Sequence, residues 1–373
     1  MASSGKPGKA GGFWQRLIGR AADAPASELS TLPAMQQTDA PGAPPQQGTV
    51  GSTTPDLRDY ELSAEIGRGA MAIVYKATQR STGRQVAVKR LALSREFSAE
   101  DLADVRERFM REARAARALE HPDILQVVDA GQDGRDAWIA LEYVLGRDLS
   151  LFTRAGQLLP VREVVQLGAR LARALHYAHS QGVIHRDIKP ANVMLDRVNG
   201  SLKLMDFGIA RVGDGSRTRT GLVLGTPSFM SPEQLAGLTV DGRSDLYSLG
   251  VLLYQLLTGT LPHQSESMAR LMQQIATEPA PDVRIHRPGL PESLALVLAV
   301  AQEKRPELRY PSGEQMARDL EAVLIMDLQN EPATPDPVKP QDAAFAQTLR
   351  LMPEEAGQNR RSSAEPHEPP QAS

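Results

Sequence analysis

The chain has 373 residues, of which 41% are hydrophobic, and this length suits one large domain with flanking segments. Its formal net charge is −3, which gives no reason to expect nucleic acid as a partner. The chain contains no cysteine, so disulfides, catalytic thiolates and cysteine-ligated zinc are excluded.

The two ends of the chain differ in composition from its middle. Residues 1–56 are rich in Gly, Pro, Ala, Ser and Gln, and residues 327–373 are Pro-rich. Such segments bury too little apolar surface to offset the entropy lost on ordering, so we predict that both are disordered and that residues 57–326 fold. No run approaches the roughly 18 apolar residues of a membrane-spanning helix, and no secretory signal is evident. We therefore expect a cytoplasmic protein without a transmembrane segment.

A glycine-containing hairpin opens the predicted domain. Its sequence is IGRGAMAIV, over residues 66–74. The β-branched residues on either side predict two strands, and glycines in the turn let backbone amides come close to phosphate groups. The motif is weak by itself, because an ordinary hairpin turn fits it equally well and Ala72 stands at the position of its third glycine.

A strand over residues 85–89 and a helix over residues 99–119 follow. Alternation places Ala87 and Lys89 on one face of the strand. Ala87 could then line an adenine pocket while Lys89 reaches phosphates, although a lone lysine at a strand end could equally be a solvated cation. Glu112 can pair with Lys89 if the helix packs beside this strand; otherwise it lies on a solvated face.

A hinge between two lobes is predicted near residue 146. Residues 124–128 and 137–143 read as two further strands, and Gly146 follows them. Extended backbone at Glu142 and Val144 would offer a carbonyl and an amide to an adenine ring. Helical periodicity over residues 161–181 then predicts a buried helix.

Polar side chains at fixed spacing mark the segment VIHRDIKPANVML, residues 183–195. Asp187 can orient a hydroxyl and accept its proton, Lys189 can offset phosphate charge, and Asn192 can bind a metal ion. Asp206 follows in an Asp-Phe-Gly tripeptide, where it is placed to hold Mg²⁺. This set of groups predicts chemistry on a phosphoryl group.

The remainder of the predicted domain is helical. Residues 209–233 are rich in Gly, Ser and Thr, and residues 245–254 are apolar nearly all round, which indicates a buried helix. Further helices are predicted at about 265–275, 293–301 and 312–326.

These motifs, in this order, resemble the eukaryotic-type (Hanks-type) Ser/Thr protein kinase family, particularly its bacterial branch, over about residues 57–326. The resemblance implies an α+β fold of two lobes, with a small antiparallel sheet and one main helix in the first lobe and a mostly helical second lobe. The residues that carry it are Gly67, Gly69, Val74, Val86, Ala87, Val88, Lys89, Glu112, His185, Arg186, Asp187, Lys189, Asn192, Asp206, Phe207, Gly208, Ser231, Pro232, Glu233, Asp245 and Arg309.

The resemblance also implies roles for individual residues. Asp187 would be the catalytic base and Lys189 would steady the γ-phosphate of ATP. Asn192 and Asp206 would hold Mg²⁺, with Mn²⁺ as an alternative. An ion pair between Lys89 and Glu112 would position ATP. The implied nucleotide-binding residues, with Leu141 as gatekeeper, are Ile66, Gly67, Arg68, Gly69, Ala70, Met71, Ala72, Ile73, Val74, Ala87, Lys89, Glu112, Leu141, Glu142, Val144 and Met194.

The implied activity is phosphorylation of serine and threonine in protein substrates, because Lys189 and Thr226 resemble Ser/Thr-directed kinases. Thr218 or Thr220 would be autophosphorylated through a transient dimer, and Arg186 and Arg211 would bind that phosphate. Each threonine could instead be an unmodified loop residue. Proteins with forkhead-associated (FHA) domains, which read phosphothreonine, are the further partners that the family implies.

Two other functions compete with this interpretation. A pseudokinase scaffold would bind nucleotide without transferring phosphate, but the base, the metal ligand and the strand lysine are all present in this chain. A small-molecule phosphotransferase of the choline or aminoglycoside kinase type would lack the segment GTPSFMSPE, residues 225–233. Self-phosphorylation would distinguish a protein kinase from both.

Overall fold

The computed structural model describes residues 56–69, 72–207 and 227–329. Some residues that the sequence singled out lie outside these ranges, namely Ala70, Met71, Gly208, Arg211, Thr218, Thr220 and Thr226. Within the described ranges, no helix is long and apolar enough to cross a membrane.

The first lobe is a five-stranded antiparallel sheet in the order β1-β2-β3-β5-β4. Its strands are β1 (Tyr60–Arg68), β2 (Ala72–Gln79), β3 (Gln85–Leu91), β4 (Val127–Asp133) and β5 (Asp136–Glu142). A short helix, α1 (Leu93–Glu96), and a longer one, α2 (Leu102–Arg117), connect β3 to β4. This lobe matches the predicted small sheet with one main helix.

Helix α2 is amphipathic, and its apolar side chains recur three or four residues apart. Leu102, Val105, Phe109, Ala113 and Ala116 are buried on that face and belong to the same apolar core as Val127 and Ile139 of the sheet. This packing places the helix that carries Glu112 against strands β4 and β5 of the sheet.

The second lobe is mostly helical. Its helices are α3 (Val161–Ser180), α4 (Pro232–Leu235), α5 (Gly242–Thr258), α6 (Met268–Thr277), α7 (Glu292–Ala301) and α8 (Gly313–Met326). Helix α5 is buried on nearly every side, which confirms the buried helix predicted there. Short 3₁₀ turns occur at Leu57–Asp59, Leu149–Thr153, Pro190–Asn192, Pro227–Phe229, Val283–Ile285 and Pro306–Leu308.

Helices α3 and α8 pack closely because a glycine begins α8. A Cβ atom on Gly313 would lie 2.1 Å from the carbonyl oxygen of Ala172, so only glycine allows this approach. Beyond α8, Leu328 is also buried and its carbonyl accepts a hydrogen bond from Arg162. The packed part of the chain thus continues two residues past the predicted end of the domain.

A three-stranded sheet lies between the helices and the first lobe. Its strands are β6 (Arg147–Asp148), β7 (Val193–Asp196) and β8 (Ser201–Leu204), all antiparallel. The segment after α2 joins it, since Leu125 N–H donates to Leu204 O (2.9 Å) and Leu204 N–H donates to Asp123 O (2.8 Å). These bonds connect the two lobes next to the residues that precede Asp206.

A buried ion pair stabilises the second lobe. The guanidinium of Arg309 makes two parallel hydrogen bonds to Glu233, of 2.6 and 2.7 Å, and Ser244 donates to the same carboxylate. The Arg309 side chain is fully buried. Burial by itself would raise the pKa of Glu233, but the hydrogen bonds from Arg309 and Ser244 outweigh it and the pKa is lowered.

We expect Arg309→Ala to lower the free energy of unfolding at pH 7 by about 3–5 kcal/mol, because it leaves the Glu233 carboxylate buried without its cation. The lowered pKa of Glu233 means that the pair stabilises the fold fully above the usual glutamate pKa and stops doing so as pH falls through the lowered value. Urea denaturation measures the change.

The control for this prediction is Arg305→Ala, because Arg305 lies four residues away, is 67% exposed and contacts Glu307 only at 3.6 Å. A surface pair of this kind contributes about 0–1 kcal/mol. Equal losses in the two variants would contradict the structural role assigned to Arg309.

Candidate active site

Two small apolar clusters share one residue where the lobes meet. Ile66, Val74 and Ala87 of the first lobe form one cluster, against which Leu141 packs. Leu125, Val144 and Met194 form the other, and Leu141 packs against it too. The residues expected to enclose adenine are therefore brought together from both lobes, with Leu141 between them.

The glycine hairpin forms the edge of this region. Gly67 lies opposite Val74 and Arg68 opposite Ile73 in the β1–β2 pairing. Gly69 N–H donates to Ala72 O (2.8 Å). Ala72 is the first residue of β2 and lies opposite Leu91 of β3. The two strands predicted on either side of the glycine turn are thus present and paired.

The predicted hinge contains an ion pair that the sequence analysis missed. Glu142, the last residue of β5, pairs with Lys203 of β8 at 2.6 Å, and both side chains are less than 20% exposed. Gly146 follows at φ 131°, and a Cβ atom there would lie 2.7 Å from Leu195 O. The chain therefore needs glycine at residue 146 to pass this close to β7.

His185 and Asp245 fix the backbone of the loop that carries Asp187. Asp245, in the first turn of α5, is 1% exposed and accepts hydrogen bonds from the backbone N–H groups of His185 (2.8 Å) and Arg186 (2.7 Å). It also contacts His179 Nε2 at 2.7 Å. Arg186 has φ 65°, in the left-handed region that costs a non-glycine residue about 1–3 kcal/mol. The two bonds to Asp245 help to hold this conformation.

The imidazole of His185 connects Asp187 to the residue before Asp206. Its ring is fully buried, with Nε2 2.7 Å from Met205 O and Nδ1 3.2 Å from Asp187 N. Since a carbonyl only accepts and a backbone N–H only donates, Nε2 carries the proton and Nδ1 is the acceptor. The ring also packs on Phe207, with centroids 4.6 Å apart. One side chain therefore positions both acidic residues.

Asp187, Lys189 and Asn192 form a single hydrogen-bonded group. Asp187 Oδ2 accepts from Lys189 Nζ (2.8 Å) and from Asn192 Nδ2 (2.9 Å). Asn192 Nδ2 also donates to Asp187 O (2.7 Å). About a third of the Asp187 side chain is exposed, so its carboxylate can reach a substrate hydroxyl.

The strand lysine does not form the ion pair that the sequence predicted. Lys89 Nζ lies 2.8 Å from Asp206 Oδ1, and this contact, not one with Glu112, is its ion pair. The two charged groups line a cavity of about 20 Å³ together with Phe109 of α2 and Phe207. The predicted pair with Glu112 is therefore wrong for this conformation, in which Lys89 binds Asp206 instead.

The same contact controls the ionisation of Asp206. Burial by itself would raise the pKa of this carboxyl, but the charge and hydrogen bond of Lys89 outweigh it and the pKa is lowered. Asp206 is therefore ionised at neutral pH. It does not need to lose a proton before it binds a cation.

Asp206 and Asn192 have the ligand chemistry that a magnesium site needs. Both offer oxygen atoms, and Met205 N–H donates to Asn192 O (2.8 Å), which connects the two residues through the backbone. Among the residues that the structure covers, no group of three or more acidic or histidine side chains could hold a metal ion by itself. Mg²⁺ commonly uses one or two protein carboxylates and takes its other ligands from phosphate and water.

We expect Asp245→Asn to lower the free energy of unfolding by about 1.5–3 kcal/mol, because an amide cannot accept every bond that the buried carboxylate accepts. Its amide hydrogens would face the N–H of His185 or Arg186 instead. Urea denaturation tests this.

Asp241→Asn is the matched control for this prediction. Asp241 caps the same helix and is about half exposed, and asparagine serves as an equally good cap. Its substitution should change the free energy of unfolding by no more than about 1 kcal/mol. A similar loss in both variants would contradict the role of Asp245.

The sequence is similar to a known protein family and to several named relatives. Residues 60–318 match the family model described as a protein kinase domain. A probable serine/threonine-protein kinase of Streptomyces coelicolor is 42% identical over 274 residues, which are 71% of this chain and 40% of that protein. The serine/threonine-protein kinase PknJ of Mycobacterium tuberculosis is 41% identical over 273 residues, which are 71% of this chain and 45% of that protein. The matched region is thus less than half of each of these relatives.

Solved structures are similar in fold to this chain. The kinase domain of Mycobacterium tuberculosis PknI aligns with a TM-score of 0.58 at 32% identity, covering 73% of this chain and 98% of that one. Rad53, in a complex with AMP-PNP, aligns with a TM-score of 0.58 at 25% identity, covering 70% of this chain and 64% of that one. The two-lobed fold predicted from the sequence is confirmed.

Proposed function

The chain belongs to the protein kinase family, and we propose that it transfers the γ-phosphate of ATP to serine and threonine hydroxyls of protein substrates. The observation that carries this proposal is the group around Asp187, in which Lys189 and Asn192 bind one carboxylate oxygen. Such a group places a base, a cation and an amide on one side of the cleft between the lobes. Phosphoryl transfer to a hydroxyl uses such groups to orient the nucleophile, to neutralise phosphate charge and to hold the metal ion.

Each residue has a separate part in the proposed reaction. The apolar residues around Leu141 bind adenine, and Lys89 bears the charge that attracts the phosphates. Asp187 orients the substrate hydroxyl and accepts its proton, while Lys189 offsets the negative charge of the transferring group. Mg²⁺, or Mn²⁺ in its place, would be held by Asp206 and Asn192 and would neutralise phosphate charge when bound.

The proposed ATP site requires Lys89 to change its partner. The Oδ1 atom of Asp206 is not available to a metal ion while it lies 2.8 Å from Lys89 Nζ. A move of Lys89 toward the phosphates would release this oxygen for the metal ion. Glu112, on the adjacent α2, is the carboxylate proposed to accept Lys89 in that state.

Regulation by autophosphorylation is part of the proposal. Thr218 or Thr220 would receive the phosphate from a second copy of the chain in a transient dimer, and Arg186 with Arg211 would bind it. Proteins with FHA domains would then read phosphothreonine on this kinase or its substrates. We place this activity in the cytoplasm.

The activity test is incorporation of radiolabelled phosphate from ATP and Mg²⁺ into the intact protein and into a generic protein substrate. We expect Asp187→Asn to lower the rate roughly 10²- to 10⁴-fold, the usual contribution of a general base. Asp104→Asn, at an exposed position on α2, is the control and should retain the parent rate. A parent protein that binds ATP but labels neither itself nor the substrate would favour a pseudokinase scaffold.

The phosphorylation sites have a test of their own. We expect Thr218→Ala/Thr220→Ala to reduce self-labelling and to lower activity toward the added substrate, because the loop then lacks the phosphate that Arg186 and Arg211 bind. Mass spectrometry of the labelled parent should find phosphate on one of these threonines. Unchanged self-labelling in the double variant would exclude both sites while leaving the kinase activity intact.

A further inference from the structure

The peptide group between Arg186 and Asp187 is held at both of its polar atoms. Its carbonyl oxygen, on Arg186, accepts a hydrogen bond of 2.9 Å from Gln234 Nε2. Its N–H, on Asp187, donates to His185 Nδ1 at 3.2 Å. Because a peptide group is planar, these two bonds fix its orientation. That orientation determines the direction in which the side chain of Asp187 projects from the backbone.

This peptide group needs such bonds because the residue before it is strained. Arg186 has φ 65°, and its own N–H is bound by Asp245 at 2.7 Å. A non-glycine residue keeps a left-handed conformation only where surrounding contacts enforce it. Asp245 enforces it from the N–H side of Arg186 and Gln234 from the carbonyl side.

The side-chain amide of Gln234 makes hydrogen bonds through both its oxygen and its nitrogen. Its Oε1 accepts from Ser231 N (3.0 Å) and its backbone N–H donates to Ser231 Oγ (3.3 Å), which together form the capping box of α4. Its Nε2 is then directed at Arg186 O. The partners assign the amide unambiguously, since a backbone N–H only donates and a carbonyl only accepts.

The helix that carries Gln234 is itself firmly held. Glu233, the preceding residue, forms the buried pair with Arg309, and Ser231 is fully buried. The bond to Arg186 therefore starts from a rigid point of the second lobe. Displacement of α4 would be transmitted to the peptide group next to Asp187.

We propose that Gln234 is a positioning residue for phosphoryl transfer, which connects the cap of α4 to the backbone of Asp187; this rests on the function proposed above. Glutamate at residue 234 would still accept from Ser231 N and would suit the N-terminus of α4. It could not donate to Arg186 O, and its charge would repel that oxygen. Gln234→Glu thus removes the connection while preserving the cap.

The experiment compares the full-length parent, Gln234→Glu and Gln264→Glu. Gln264 is an exposed glutamine whose Nε2 also donates to a backbone carbonyl, that of Leu261 at 3.2 Å. We measure kcat and the KM for ATP, the melting temperature, and hydrogen–deuterium exchange of residues 183–195. The last two readouts do not depend on catalysis.

For Gln234→Glu we expect kcat to fall roughly tenfold to a hundredfold with the KM for ATP within about twofold of the parent value, as for a misoriented base. Exchange should become faster in residues 183–195, and the melting temperature should stay near that of the parent. Gln264→Glu should match the parent in every readout. A purely structural role would lower the melting temperature and leave the kcat of the folded protein unchanged.

Other results would overturn the proposal. Unchanged kcat in Gln234→Glu, or a fall in kcat without faster exchange in residues 183–195, contradicts positioning through the Arg186 carbonyl. If the parent transfers no phosphate, the proposed function fails. In that case faster exchange in Gln234→Glu supports the connection to the loop, and unchanged exchange refutes it.

Discussion

The arrangement of the active site depends on a buried carboxylate that binds backbone N–H groups. Asp245 is almost fully buried and binds the N–H groups of His185 and Arg186, two residues that precede Asp187 directly. A buried carboxylate is stable only when its oxygens are satisfied, so the loop and Asp245 require each other. Through this contact the loop is fixed to α5, the most buried helix of the second lobe.

The charged groups of the cleft depend on that loop. His185 is held by Asp245 through its backbone, and its ring contacts both Asp187 N and Met205 O. Asp206 follows Met205 and forms an ion pair with Lys89 of the other lobe. Asp187 and Asp206, the proposed base and the proposed metal-binding carboxylate, are therefore positioned by one imidazole.

Local sequence patterns predicted much of the secondary structure. They could not predict which side chains pair with residues distant in the sequence. Alternation and helical periodicity located β3, β5, α2 and α5, because these signals reside in neighbouring residues. The strand predicted at residues 124–128 was misplaced, since β4 is Val127–Asp133. The Glu142–Lys203 pair and the bond from Gln234 to Arg186 join residues 61 and 48 positions apart, and no local pattern records them. The Lys89–Glu112 pair was expected by resemblance, whereas in the structure Lys89 forms its ion pair with Asp206, 117 positions along the chain.

Native-state hydrogen exchange at single amides of the full-length protein tests whether Asp245 holds the loop that carries Asp187. We expect the N–H groups of His185 and Arg186, bound to Asp245, to exchange only through global unfolding, as core amides do. Their exchange should then follow the free energy of unfolding measured with urea. Exchange of these two amides as fast as that of exposed loop amides would show that Asp245 does not hold the loop, and would contradict the account.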